Sequence, residues 1–206
     1  MSLVLYHATG TCALASCIAL EEAGADVDIR RLDFQSDAQK QPEYLAINPR
    51  GRVPALVTPH GVLTETPAIL AWIAQTYPAA RLAPTDPWGF AKAQEFNSYL
   101  CATVHIAHAH RRRGHRWADD PAAIEAMKSK VRANMHDCCR MIETAFFKGP
   151  WVLGDAWSVC DGYLYTIYGW LEGDGVALAD FPALDAHRAR MRERPAVIRV
   201  AERLKD

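Results

Sequence analysis

The chain has no long hydrophobic run. None of its apolar stretches approaches the roughly 18 uncharged residues that a membrane-spanning helix needs, so a helical transmembrane protein is excluded. Its start, MSLVLYHATG, lacks the basic residues and extended apolar segment of a secretory signal. Neither sign of charge is in excess: 23 Lys and Arg against 24 Asp and Glu leave a formal net charge of −1. Such a chain has no global attraction to nucleic acid or to an anionic membrane surface. Cysteine is present but unpatterned. The six cysteines lie at positions 12, 17, 101, 138, 139 and 160 with no CxxC pair. That argues against a zinc knuckle or a disulfide scaffold, and for a reducing cytoplasm.

What remains is ordinary globular composition over 206 residues, half of them hydrophobic and 23% charged, enough for one large or two small domains. Strand signals concentrate in the first part and nearly vanish after Trp88. Residues 3–6 read as a short buried strand and 27–30 as a half-buried one. Between them, residues 12–23 have helical spacing, with Gly24 placed to end the helix in a left-handed conformation. Residues 31–41 are polar and read as a loop or helix. A stretch rich in proline and small residues follows Pro78 and reads as a linker. Beyond it, helical patterns run over 90–113, 121–147, 158–171 and 181–204, with Asp119 and Asp120 as cap candidates before Pro121. Ser158 and Asp161 form a capping-box arrangement with Asp in place of the usual Glu, while Gly162 leaves Trp157 without an apolar staple partner.

The stretch that organises the rest is NPRGRVPALVTPHGVLTETPAIL, residues 48–70. It reads as a turn at Asn48-Pro49-Arg50-Gly51, a strand over 53–57 with Pro54 at its mouth, a turn at His60-Gly61, a second strand, and a helix opened by Thr64-Glu65-Thr66. Proline inside a strand belongs at its first positions, at an edge or at a bulge. An X–Pro bond also disfavours cis by only ~0.5–1 kcal/mol, so Val53–Pro54 is a candidate cis bond. A Val53 backbone turned outward pairs with an extended peptide, and the helix start at Glu65 and Thr66 attracts a carboxylate. One end thus offers main-chain pairing and the other a carboxylate site, which suits a short anionic peptide. An ordinary hairpin followed by a capped helix accounts for the same spacing.

NPxGxVPAL followed by LTE-[ST]-x-AI resembles the glutathione-binding half of the cytosolic glutathione transferase family. The N-terminal stretch from Leu5 to Gly24, LYHATGTCALASCIALEEAG, is similar to the bacterial beta class, whose N-terminus reads LYYSPGACSLSPHIALREAG. Four separated motifs occur in the family's order and cover nearly the whole chain. The resemblance implies a thioredoxin-like α/β domain with a mixed four-stranded sheet over residues 1–78, a linker over 79–88, and an all-helical domain over 89–206. It implies glutathione as co-substrate, contacted through Tyr6, Lys40, Arg52, Val53, Pro54, Glu65 and Thr66. It also implies a homodimer and a detoxifying role.

Cys12 sits at the N-terminus of the first helix, where a thiol pKa is lowered from its reference of about 8.5; the matching cysteine of beta-class relatives contacts glutathione and can form a mixed disulfide with it. A small buried apolar residue is the plain alternative for Cys12 and the reading for Cys17. The family's Ser-Pro is Ala8-Thr9 here, and the Ser after the Cys is Ala13. If a hydroxyl activates the ligand, Thr9 or Thr11 supplies it. A cleft-lining histidine of the beta class matches His105, with His108 as the fallback. His105 and His108 share a helix face, but no carboxylate or cysteine nearby in sequence completes a metal site, and none is assigned. The run from Arg111 to Arg116 reads as a solvated helix end or a cleft wall that attracts anions.

Two functions follow. The first is an enzyme that directs the glutathione thiolate at an electrophilic or disulfide substrate. The second is a non-catalytic interaction or regulatory protein of the same fold, kept open by the altered positions around Cys12.

Overall fold

The computed structural model describes residues 3–205. Strand β1 (Leu3–His7) alternates buried Leu3, Leu5 and His7 with half-buried Val4 and Tyr6. Helix α1 (Ala13–Glu22) buries Ala13, Ala15, Cys17, Ile18 and Leu20, so it is apolar nearly all round, as a helix covered on opposite sides must be. It ends before Gly24, whose φ of +62° needs no Cβ. The crossover returns the chain so that β2 (Val27–Arg31) lies parallel to β1, with Leu5 opposite Ile29.

The polar stretch that follows holds a single 3₁₀ turn, Ala38–Lys40, and the one-turn helix α2 (Pro42–Leu45). Strand β3 (Ala55–Thr58) then pairs antiparallel with β1, and β4 (Gly61–Thr64) antiparallel with β3. The order β2-β1-β3-β4 completes a mixed four-stranded sheet. The strand expected from residue 53 begins at Ala55, because Pro54 has no N–H to give the ladder. The Val53–Pro54 bond is cis. Helix α3 (Thr66–Thr76) follows directly from β4.

The remainder is almost entirely helical. Helix α4 (Pro87–Tyr99) is capped by the Asp86 side chain, which accepts from the Gly89 N–H. It runs through a π-helical turn, Leu100–Val104, into α5 (His105–Arg113). The helix expected over 121–147 is two: α6 (Pro121–Ser129), capped by Asp120, and α7 (Val131–Met141), with a break at Lys130. Helix α8 (Val159–Leu171) follows. The expectation of one helix over 181–204 is corrected to α9 (Pro182–Glu193) and α10 (Pro195–Arg203). Pro195 supplies no N–H and pushes Arg194 to an extended conformation, φ −69° and ψ 129°, which no helix continues through.

Helix α8 carries the joint. Its capping box is complete: the Ser158 hydroxyl accepts from backbone N–H groups of the first turn, Cys160 at 3.3 Å among them, and the Asp161 carboxylate accepts from the Ser158 N–H at 2.7 Å. The same carboxylate accepts from the Val152 N–H at 2.7 Å and from His187 Nε2 at 3.0 Å. Trp157, without a staple partner, is covered by the Arg194 guanidinium 4.7 Å from its ring. Arg194 also grips Glu22 at the end of α1 with two bonds of 2.7 and 2.9 Å, which ties the helical part to the sheet part.

Candidate functional site

A cavity of about 700 Å³ opens between the sheet part and helices α5 and α8. On the sheet side its floor is built by a turn. The buried Asn48 side chain accepts from the Arg50 N–H at 3.1 Å and donates to the Arg52 carbonyl at 2.7 Å. The Tyr44 hydroxyl donates to the same carbonyl at 2.6 Å. Gly51 takes φ +59°, and a Cβ there would stand 2.9 Å from the Gln39 carbonyl oxygen, so only glycine fits. This clamp fixes the segment that presents Arg52 and Val53 to the cavity. Among the described residues the Val53 N–H has no backbone acceptor, while the Val53 carbonyl accepts from the Cys12 thiol at 3.6 Å.

Glu65, between β4 and α3, has φ +70°, a conformation that residues with a Cβ rarely adopt and that concentrates at functional sites. Its carboxylate pairs with Arg50. Thr66 opens α3 and is buried. Lys40 lines the same cavity from the 3₁₀ turn, exposed and paired with Asp37 at 3.0 Å. Val53, Pro54, Arg52, Glu65, Thr66, Lys40 and Cys12 therefore share one space, as does Thr11. The Thr11 hydroxyl already donates to the Ala8 carbonyl at 2.6 Å. Tyr6 and Thr9 are placed elsewhere. Tyr6 lies on the other face of β1, its ring 5.4 Å from Tyr44 and its hydroxyl accepting from Arg30 at 3.3 Å. Thr9 is exposed in the loop before α1 and does not line the cavity.

The electrostatics of Cys12 differ from the expectation of a lowered thiol. Burial pushes its pKa up, and the Thr66 side chain and the Arg113 charge only partly offset that. Desolvation outweighs the helix N-terminus here. The neighbouring Cys101, also in the cavity, is pushed up by burial and by Glu65.

The helical wall brings both candidate histidines to the cavity. His105 is lowered to about 3, first by burial and then by Arg113, and so is neutral near pH 7. Its Nε2 faces an Arg113 guanidinium nitrogen at 3.2 Å. Since a guanidinium only donates, Nε2 accepts and the ring proton sits on Nδ1. His108 stacks on Trp170 with centroids 4.4 Å apart and pairs through Nδ1 with the buried Asp174 at 2.7 Å. Arg111 holds the other Asp174 oxygen at 3.4 Å. Trp170 in turn donates its indole N–H to the Gly10 carbonyl at 3.0 Å, joining α8 to the loop that precedes Cys12. Sequence reasoning missed Tyr163, which lines the cavity with a buried hydroxyl that has no partner among the described residues. No local pattern marks it. Tyr44 was also missed, and the Asn48 turn was read without the clamp that its side chain and the Tyr44 hydroxyl make on the Arg52 carbonyl.

A thioredoxin-like sheet part joined to a helical part, with a proline-bearing turn and a thiol brought together on the sheet side of a cleft, defines the class of the fold. The family description "Glutathione S-transferase, N-terminal domain" matches residues 1–75. The chain is 30% identical over 196 residues to the Escherichia coli O157:H7 glutathione S-transferase GstA, covering 94% of each chain. A glutathione transferase homologue from Sulfitobacter, solved with bound glutathione, superposes with a TM-score of 0.95 at 41% identity, over 98% of both chains. The bacterial beta-class enzyme of Sphingomonas chungbukensis gives 0.84 at 29% identity, over 97% of this chain and 98% of that one. The chain belongs to the glutathione S-transferase family, on its bacterial side.

Proposed function

We propose that the chain is a glutathione-dependent transferase that holds glutathione in the cleft and directs its thiolate at an electrophilic or disulfide substrate. The observation that carries this reading is the convergence of Val53, Glu65 and Cys12 on one cavity. Glutathione offers a peptide backbone, one ammonium, two carboxylates and a thiol. The Val53 N–H and carbonyl pair with the cysteinyl backbone as an added strand. Glu65 exchanges Arg50 for the γ-glutamyl ammonium, and the N-terminus of α3 at Thr66 receives the adjacent carboxylate. Lys40 and Arg52 serve the glycine carboxylate. Tyr6 and Thr9, outside the cavity, take no part.

The thiol then lies between Cys12 and His105. A buried Cys12 with a raised pKa is a neutral S–H at pH 7, hence a hydrogen-bond donor to the thiolate more than a nucleophile. His105 contributes its Nδ1–H, and the Arg113 charge favours the ionised ligand. This reading carries a homodimer and a detoxifying role toward electrophiles, and light scattering at twice the monomer mass is the expected result for the former.

The test is steady-state turnover of glutathione with a chlorodinitrobenzene and, separately, with a small disulfide. Glutathione-dependent conjugation that falls about tenfold in Cys12→Ala, the loss of one charge-assisted hydrogen bond, supports the donor role. Disulfide reduction that vanishes in the same variant makes Cys12 the nucleophile instead. No turnover of any electrophile or disulfide, with glutathione bound, contradicts the enzyme and leaves a binding protein.

A further inference from the structure

The helical wall of the cleft carries arginines that the two carboxylates of glutathione do not engage in the reading above. Arg113 and Arg116 line the cavity together with Arg52. Among the described residues none of these three forms an ion pair with a carboxylate. Glu65, the acidic side chain of the lining, is already engaged by Arg50. Arg52 neighbours Val53 and serves the glycine carboxylate in the reading above. Arg113 acts on the thiolate through its field alone, so neither it nor Arg116 has a carboxylate partner in that reading.

Arg113 is not a solvated helix end. It is half-buried, and desolvation together with the charges of Arg116 and Arg52 works against its ionised form. A guanidinium nevertheless stays protonated in proteins. Its hydrogen-bond partner is the neutral His105 Nε2 at 3.2 Å, which offers no compensating charge. A cation withdrawn from water without an anion is unfavourable, and an arriving carboxylate would relieve it. The same cavity also has apolar lining. Ile106 and Trp117, 38% and 45% exposed, belong to the same cavity.

We propose that the second-substrate end of this cleft selects an aromatic electrophile bearing a carboxylate, held by Arg113 and Arg116 with its ring on Trp117 and Ile106. The proposal rests on the glutathione reading above. In the reaction the glutathione thiolate attacks the halogen-bearing ring carbon and forms the C–S bond. Chloride leaves with the bonding pair, and the thiol proton passes to solvent.

The experiment compares 4-chloro-3,5-dinitrobenzoate with its methyl ester, at saturating glutathione and corrected for the uncatalysed rates. The expected result is a kcat/KM for the acid about tenfold or more above that for the ester, a preference that shrinks as potassium chloride is raised. Arg113→Met and Arg116→Met each reduce the acid-to-ester ratio about tenfold. Arg116 is exposed, so its variant tests the idea even if Arg113→Met does not fold. Equal use of acid and ester by the wild-type protein overturns the proposal, as does a ratio unchanged in Arg116→Met. Absence of glutathione binding by calorimetry overturns the underlying reading and this one with it, whereas binding and ester turnover without acid preference overturns this one alone.

Discussion

The two walls of the cleft are built on different principles. The sheet side works with main chain: the Asn48 turn, Gly51, Val53 and the residue before α3 place backbone groups, and short-range geometry fixes each of them. The helical side works with side chains: His105, His108, Arg113, Tyr163 and Trp170 meet at the cavity, where the two histidine rings of α5 pack on Trp170 of α8. Backbone recognition suits a constant peptide ligand. Side-chain recognition is free to vary, and that is where a second substrate is chosen.

The largest expected effect tests whether the helical wall depends on its frame. Asp161→Ala removes the acceptor for Ser158, Val152 and His187 together. Leaving these donors buried and unpaired should cost about 3–5 kcal/mol, and a denaturant or thermal melt should show Tm lower by on the order of 10 °C. Next comes the sheet wall. Gly51→Ala forces a side chain into a left-handed conformation against the Gln39 carbonyl, 2.9 Å away. It should lose roughly 1–2 kcal/mol of stability and weaken glutathione binding, with the helical side chains undisturbed.

A smaller effect belongs to His105. Its folded pKa lies near 3, below the unfolded value of about 6.5, so the unfolded chain binds the extra proton. Stability should therefore be fully present above pH 6.5 and be lost as pH falls toward 3. Between pH 6.5 and 5 that amounts to at most about 2 kcal/mol. His105→Asn should flatten the slope measured by melts across that range. The slope that remains belongs in part to His7, which burial and Arg31 also lower.

This division also explains what the residues revealed in advance. The turn at Asn48, the proline after Val53, the stop at Gly24 and the capping box at Ser158 and Asp161 are decisions made within a few residues, and the sequence alone was enough to locate them. Cys12 was locatable too, but its electrostatics were not, because burial by distant residues outweighs the local helix end. Tyr6 was misleading for a related reason: strand alternation faces it away from the cleft. The break at Pro195 falls inside the helical pattern over 181–204, and it is the missing N–H of the proline, not the periodicity, that sets it. Tyr163 and Trp170 reach the site only through the packing of α8 beside residues some 150 positions earlier, and no local pattern reports that.

The central claim is that the sheet wall holds glutathione through Val53 and Glu65. The most direct test is calorimetric titration of reduced glutathione into the wild-type protein and into Glu65→Ala. Saturable one-site binding in the wild type, weakened at least tenfold or abolished in Glu65→Ala, is the expected result. Equal affinity in both proteins, or no binding to the wild type at millimolar glutathione, would contradict it.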